Sequence, residues 1–131
     1  MKQVRVDPGW AWTKKLNISA GVKVGDTVYL SGTVALDRDG NVVGGQSVYE
    51  QSKQVFINIE EALTSTGASM ADVIKFTTFL TDISGYGEYG RARTEAFPNG
   101  VPASAAYETS ALIKPELLVE VEAIAVIGSG S

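Results

Sequence analysis

The order of hydrophobic periods along the chain predicts an α+β domain, a mixed β-sheet with two helices laid across one face. Three observations carry this. Short β-branched runs broken by glycine turns fill residues 18–36, a helical period takes over at residues 48–63, and the chain returns to strand periodicity at "LLVEVEAIAVI", residues 117–127.

The elements follow in order. "ISAGVKVGDTVYLSG" reads as two short strands about a Gly25-Asp26 turn, the second running on toward "TVAL" before Asp39-Gly40 turns the chain again. In "SVYEQSKQVFINIEEALTSTG", Ser47 and Glu50 fit a capping box, Val48, Val55, Ile59, Ala62 and Leu63 form one stripe, and Gly67 stops the helix. "ADVIKFTTFLTD" is a strand from about Val73 to Thr81. "ISGYGEYGRARTEAF" predicts a second helix with Tyr86, Tyr89, Ala92, Ala96 and Phe97 on one face, weakened by Gly87 and Gly90 at about 1 kcal/mol each relative to Ala. After a Pro-Gly break, "ASAAYETSAL" and the closing run supply the last two strands. The apolar "GWAWT" reads as an N-terminal arm whose tryptophans pack on the core.

Composition narrows the function. The 131 residues predict one domain over 1–127, and "GSGS" at 128–131 has the composition of a flexible linker or fusion remnant. Zero Cys and zero His leave carboxylates, hydroxyls, Lys, Arg, Tyr and backbone amides for any chemistry, and point to no metal and no cofactor. Eleven basic against fifteen acidic residues, without a basic run, oppose a nucleic-acid partner. The absence of a long apolar span or a signal-like h-region predicts a cytoplasmic protein with no membrane partner.

In the closing strand, Glu120 and Glu122 share a face with Leu118, Ile124 and Val126, opposite Val119, Val121, Ala123 and Ala125. Two carboxylates roughly 6.5 to 7 Å apart at the backbone either raise one pKa in a partly buried site or sit solvated against Lys and Arg. Alternation leaves open which set faces the helices. In "LSGT", Gly32 either lets a ligand reach the backbone or marks a bulge. "PASAAYE" offers mostly small residues on both sides, a surface suited to packing on another subunit with clefts between.

Together "GVKVGDTVYLSGT", "NIEEALTSTGASMADVIKFTTFLTDI", "PAS" and "LLVEVEAIAVI" resemble the RidA (YjgF/YER057c) family, also labelled endoribonuclease L-PSP-like, from about Asn17 to Ile127. The resemblance implies a chorismate-mutase-like fold assembled as a homotrimer, with a small-molecule cleft between subunits. In active members that cleft hydrolyses imines or enamines without a cofactor. It further implies that Glu120 positions or activates water and that Ser31 and Gly32 form a backbone wall of the pocket. Four positions depart from the family pattern. The motif Arg that would anchor a substrate carboxylate is Ser104, the Cys two positions on is Ala106, the Asn of the second helix is Gly90, and the N-terminal pocket Tyr is Ile18. Loss of a bidentate guanidinium predicts impaired or altered specificity unless Arg91 or Lys114 replaces it. The alternative is a non-catalytic trimeric binding or assembly module, an engineered scaffold included, in which outward-facing Ile57 meets a further partner. RNA cleavage, the older family label, is opposed by the lack of His and by the charge balance.

Overall fold

The computed structural model describes residues 1–130. The elements run β1 (Gln3–Val6), α1 (Ala11–Lys15), β2 (Gly21–Val24), β3 (Thr27–Leu30), β4 (Thr33–Val34), α2 (Val48–Thr64), β5 (Val73–Leu80), α3 (Tyr86–Ala96), β6 (Ala103–Glu108) and β7 (Val119–Val126). The strands form one sheet in the order β1-β2-β3-β7-β5-β6, with β4 also pairing β7. Every pairing is antiparallel except β5 with β6, so the sheet is mixed as its periodicity predicts. No helix among the described residues is long and apolar enough to cross a membrane.

The long helix α2 starts where Ser47 Oγ accepts the Glu50 amide at 3.1 Å and ends before Gly67, whose φ of 89° is open to glycine. Its buried face carries Val55, Phe56, Ile59, Ala62 and Leu63. Phe56 anchors an aromatic cluster with Phe76, Tyr89 and Phe97 at ring separations of 6.1, 6.0 and 5.6 Å. That cluster clamps α2 and α3 to β5, and offset or edge-on rings at such distances contribute beyond their buried area.

On β7, Val119, Val121, Ala123 and Ala125 are buried under the helices. Glu120 and Glu122 therefore belong to the opposite, open face, which settles the question alternation leaves open. That face also carries Thr77 and Phe79, the register partners of Glu122 and Glu120.

Two elements at the N-terminus go beyond the expected pattern. The stretch preceding the first expected strand forms β1, which pairs with β2, and within the expected N-terminal arm "AWTKK" forms a third, short helix. Trp10 and Trp12 are buried, as expected, and stack at 5.3 Å, with Trp10 Nε1 donating to Glu61 at 2.9 Å. Five residues are too few to show a helical stripe, so the pattern there is unreadable from sequence. At the other end, the Gly130 amide donates to Asp72 Oδ1 at 2.9 Å and Ser129 Oγ to the Val126 carbonyl at 2.7 Å, so these residues turn back onto the domain.

Candidate functional site

The strand expected to run unbroken through "LSGTVAL" is interrupted. Between the pairs Tyr29↔Ile124 and Thr33↔Val121, three residues (Leu30, Ser31, Gly32) face two (Glu122, Ala123), which is a β-bulge. Ser31 is held there by its amide on the Ala20 carbonyl at 2.9 Å and its hydroxyl on the Ser19 carbonyl at 2.7 Å. The adjoining Ile18 is about half exposed.

The bulge exists together with Glu120. A Cβ built on Gly32 would overlap Oε2 of Glu120 and lie 2.7 Å from its Cδ, so glycine lets the carboxylate rest against the backbone where any larger residue would make it swing aside. Burial, and secondarily the charge of Glu122, raises the Glu120 pKa above the ordinary glutamate range. Among the described residues no Lys or Arg lies within ion-pair distance of it; the two ion pairs are Arg38–Glu61 and Lys53–Glu50. The paired, solvated alternative thus does not describe Glu120, although Glu122 beside it is exposed.

Polar side chains on the core face of α2 fix the two strands that make this arrangement. Asn58 Nδ2 donates to the Val34 and Leu36 carbonyls at 2.9 and 2.8 Å, pinning the segment after the bulge. Gln51 Nε2 donates to the Gly45 and Glu116 carbonyls at 2.7 and 2.8 Å, while its Oε1 accepts the Leu118 amide at 2.9 Å. That last bond sets the start of β7, two residues before Glu120. Sequence reasoning missed both residues because a stripe drawn from apolar types passes over a buried amide. Their recurrence on the buried side of the wheel was the available signal.

The remaining predicted site residues lie elsewhere. Within the parallel β5–β6 ladder, Phe76 pairs with Ser104 and Thr78 with Ala106, and both β5 residues point under the helices. Ser104 and Ala106 therefore share the helix-side face of the edge strand β6, across the sheet from Glu120. Gly90 lies on α3, next in the chain to Tyr89. Tyr89 Oη and Thr78 Oγ1 are 2.6 Å apart, which ties this helix to the strand beside Ala106. The structure thus sets Ile18, Ser31, Gly32 and Glu120 along the bulge, and Ser104 and Ala106 on the other side of the sheet, where α3 with Gly90 is tied to the neighbouring strand. One chain does not bring the two together.

Neither cation expected as a replacement serves the second group. Arg91 lies 3.6 Å over the Tyr49 ring, and Lys114 Nζ reaches the Gly40 carbonyl at 3.3 Å. Ile57 is exposed as its helical phase predicts, in a shallow depression shared with Lys53, Glu60, Met70 and Ala96. Nothing there specifies a partner, and the comparisons below give no support to an assembly module.

A small α+β chain with an open sheet face, a glycine bulge and a half-buried carboxylate in its last strand defines the class. Residues 13–127 match the model of the family described as Endoribonuclease L-PSP. The mouse 2-iminobutanoate/2-iminopropanoate deaminase is 39% identical over 111 residues, covering 84% of this chain and 81% of that protein. A Mycobacterium tuberculosis member of the YjgF/YER057c/UK114 family superposes with a TM-score of 0.82 at 32% identity, over 96% of this chain and all of that one. RidA from an Antarctic Psychrobacter gives 0.78 at 36% identity, over 83% and 87%. The chain belongs to the YjgF/RidA, or endoribonuclease L-PSP, family.

Proposed function

We propose that this protein hydrolyses small 2-imino acids to 2-oxo acids and ammonia, in clefts that form where the open face of one subunit meets the β6 edge of the next. The carrying observation is Glu120: a carboxylate of raised pKa, without an ion-pair partner among the described residues, resting against backbone that Gly32 leaves uncovered. Relatives named for 2-iminobutanoate and 2-iminopropanoate support the substrate class.

In this reading the imine nitrogen is protonated, and Glu120 accepts a proton from water as the water oxygen bonds to the iminium carbon, giving a carbinolamine. It then returns that proton to the amino nitrogen. As the C–N bond breaks the freed carboxylate takes the hydroxyl proton, so that the oxo group forms and ammonia leaves carrying this last proton as ammonium. Such a shuttle works best when the group's pKa lies near the working pH, which burial favours here. The Gly32 amide of the bulge lies beside the reacting centre, the Ser31 amide being held by the Ala20 carbonyl. Association as a homotrimer, the arrangement typical of the family, would join the two separated groups of site residues. The exposed Tyr29 and Tyr107 on the open sheet face favour it, and so does Ile113 in the loop after β6, since side chains this large are usually covered.

The experiment is an assay of 2-oxobutanoate formation from 2-iminobutanoate generated in situ by an amino-acid oxidase. Acceleration over buffer that disappears in Glu120→Gln supports the proposal. A folded, associated protein that leaves the buffer rate unchanged overturns it.

A further inference from the structure

We propose that Arg93 supplies the positive charge that anchors the substrate carboxylate, doing from α3 what Ser104 cannot do from β6. The inference rests on the 2-imino acid reading above, because a 2-imino acid is an anion and its cleft needs a cation.

Arg93 lies in the right group of residues. It is one helical turn beyond Gly90, and a Cβ built on Gly90 would stand 3.6 Å from Arg93 Nη2. Its guanidinium carbon is 5.5 Å from the ring centre of Tyr89, whose hydroxyl meets Thr78, the register partner of Ala106. The guanidinium is also built into position. It packs 5.3 Å from the Tyr86 ring centre, and Nη1 donates to Tyr86 Oη at 2.8 Å. Two aromatic faces and one hydrogen bond restrict its rotamers, which lowers the entropy lost on gripping a ligand.

What the guanidinium lacks is an anion. Among the described residues no carboxylate lies within ion-pair distance of Arg93. Its Nε is closed off inside the chain, so a ligand would meet the outer Nη donors, which a guanidinium presents in a geometry that a carboxylate matches. The small residue beside it then has a purpose. An amide-bearing side chain at 90 would compete for the volume that Nη2 borders. Gly90 leaves that space to Arg93 and to the carboxylate it would hold.

The test compares binding of 2-oxobutanoate with its neutral amide by calorimetry, in the intact assembled protein and in Arg93→Gln. The intact protein should prefer the acid, and Arg93→Gln should lose about ten- to a hundredfold in acid affinity while binding the amide unchanged, erasing the preference. Arg93→Lys should recover part of it. In the imine assay the same loss should appear in KM and leave kcat nearly constant. A merely structural Arg93 would lower both affinities together, and that result overturns the assignment, as does an unchanged preference for the acid. Should Arg93→Gln fail to fold, Gly90→Asn, which leaves Arg93 in place but takes its space, must weaken acid binding selectively or the assignment falls. An intact protein that binds neither probe and leaves the imine rate at its buffer value overturns the 2-imino acid reading and the role of Arg93 with it. Loss of the acid preference alone, with imine turnover retained in the intact protein, is specific to Arg93.

Discussion

The two groups of site residues are built by opposite means. Around Glu120 the backbone does the shaping: a bulge, a glycine and two buried amides on α2 leave one carboxylate a single niche. Around Gly90, Ser104 and Ala106 the backbone is regular helix and edge strand, and vacant side-chain space defines the region. A chemical group that must not move is placed on crowded backbone, whereas a binding surface that must admit a ligand is left open at the edge of the sheet. The difference predicts that substitutions on the first side will cost turnover, and stability too where they strand buried backbone groups, while substitutions on the second will change affinity and cost the fold little.

The largest effect that would sharpen this contrast is at Glu120. Glu120→Gln should lower kcat by about a hundredfold to ten-thousandfold without lowering the unfolding temperature, measured by the coupled assay and by calorimetry. Next comes Gln51→Ala, which strands two carbonyls and the Leu118 amide and should cost about 3 kcal/mol in urea unfolding.

The two glycines then make a matched pair. Gly32→Ala makes the Glu120 carboxylate swing out of its place and should cost much of the turnover with little loss of stability, because only the end of a flexible side chain has to move. Gly90→Ala meets only an ordinary contact in a helix and should stabilise by up to about 1 kcal/mol. Equal effects at both glycines would break the contrast.

The smallest effect is in pH. Because Glu120 is more easily protonated folded than unfolded, it lowers stability at pH values above its folded pKa. That deficit fades as the pH falls through the folded pKa toward the ordinary glutamate value. Asp37, Asp72 and Asp82, all held low by hydrogen bonds, act in the reverse sense and lose their contribution in acid. The informative quantity is therefore the difference between the parent and Glu120→Gln. The parent should gain relative to the variant as the solution is acidified through that window, and parallel curves would remove the buried-carboxylate account.

Much of this was legible in the sequence where periodicity is strong. The two long helices, the Gly25-Asp26 hairpin, β5 and β7 follow from alternation, capping and glycine placement, because those local preferences agree with the final packing. The functional pair was half legible. The sequence places Glu120 among apolar residues, but only the register of β7 against β4 and β5 shows which face it occupies and that Gly32 lies against it. Arg93 was not legible. Its significance comes from Tyr86 and Gly90 on the same helix face and from a missing partner, and an absent contact leaves no mark in a sequence. Nor could the pattern of β6 say that Ser104 points to the side of the sheet away from Glu120, since mostly small residues on both sides erase the alternation.

The central claim is that the two groups meet only across a subunit contact, and mixed assemblies test it directly. Glu120→Gln and Ser104→Glu, the latter placing a repelling charge at an exposed edge position, should each be nearly inactive alone. Co-expressed in equal amounts and assembled at random, they should recover about a quarter of the parent's imine hydrolysis, because that share of clefts combines an intact acid from one subunit with an intact edge from its neighbour. Assemblies that contain both variants and still show no recovery would place the whole site within one chain and contradict the account.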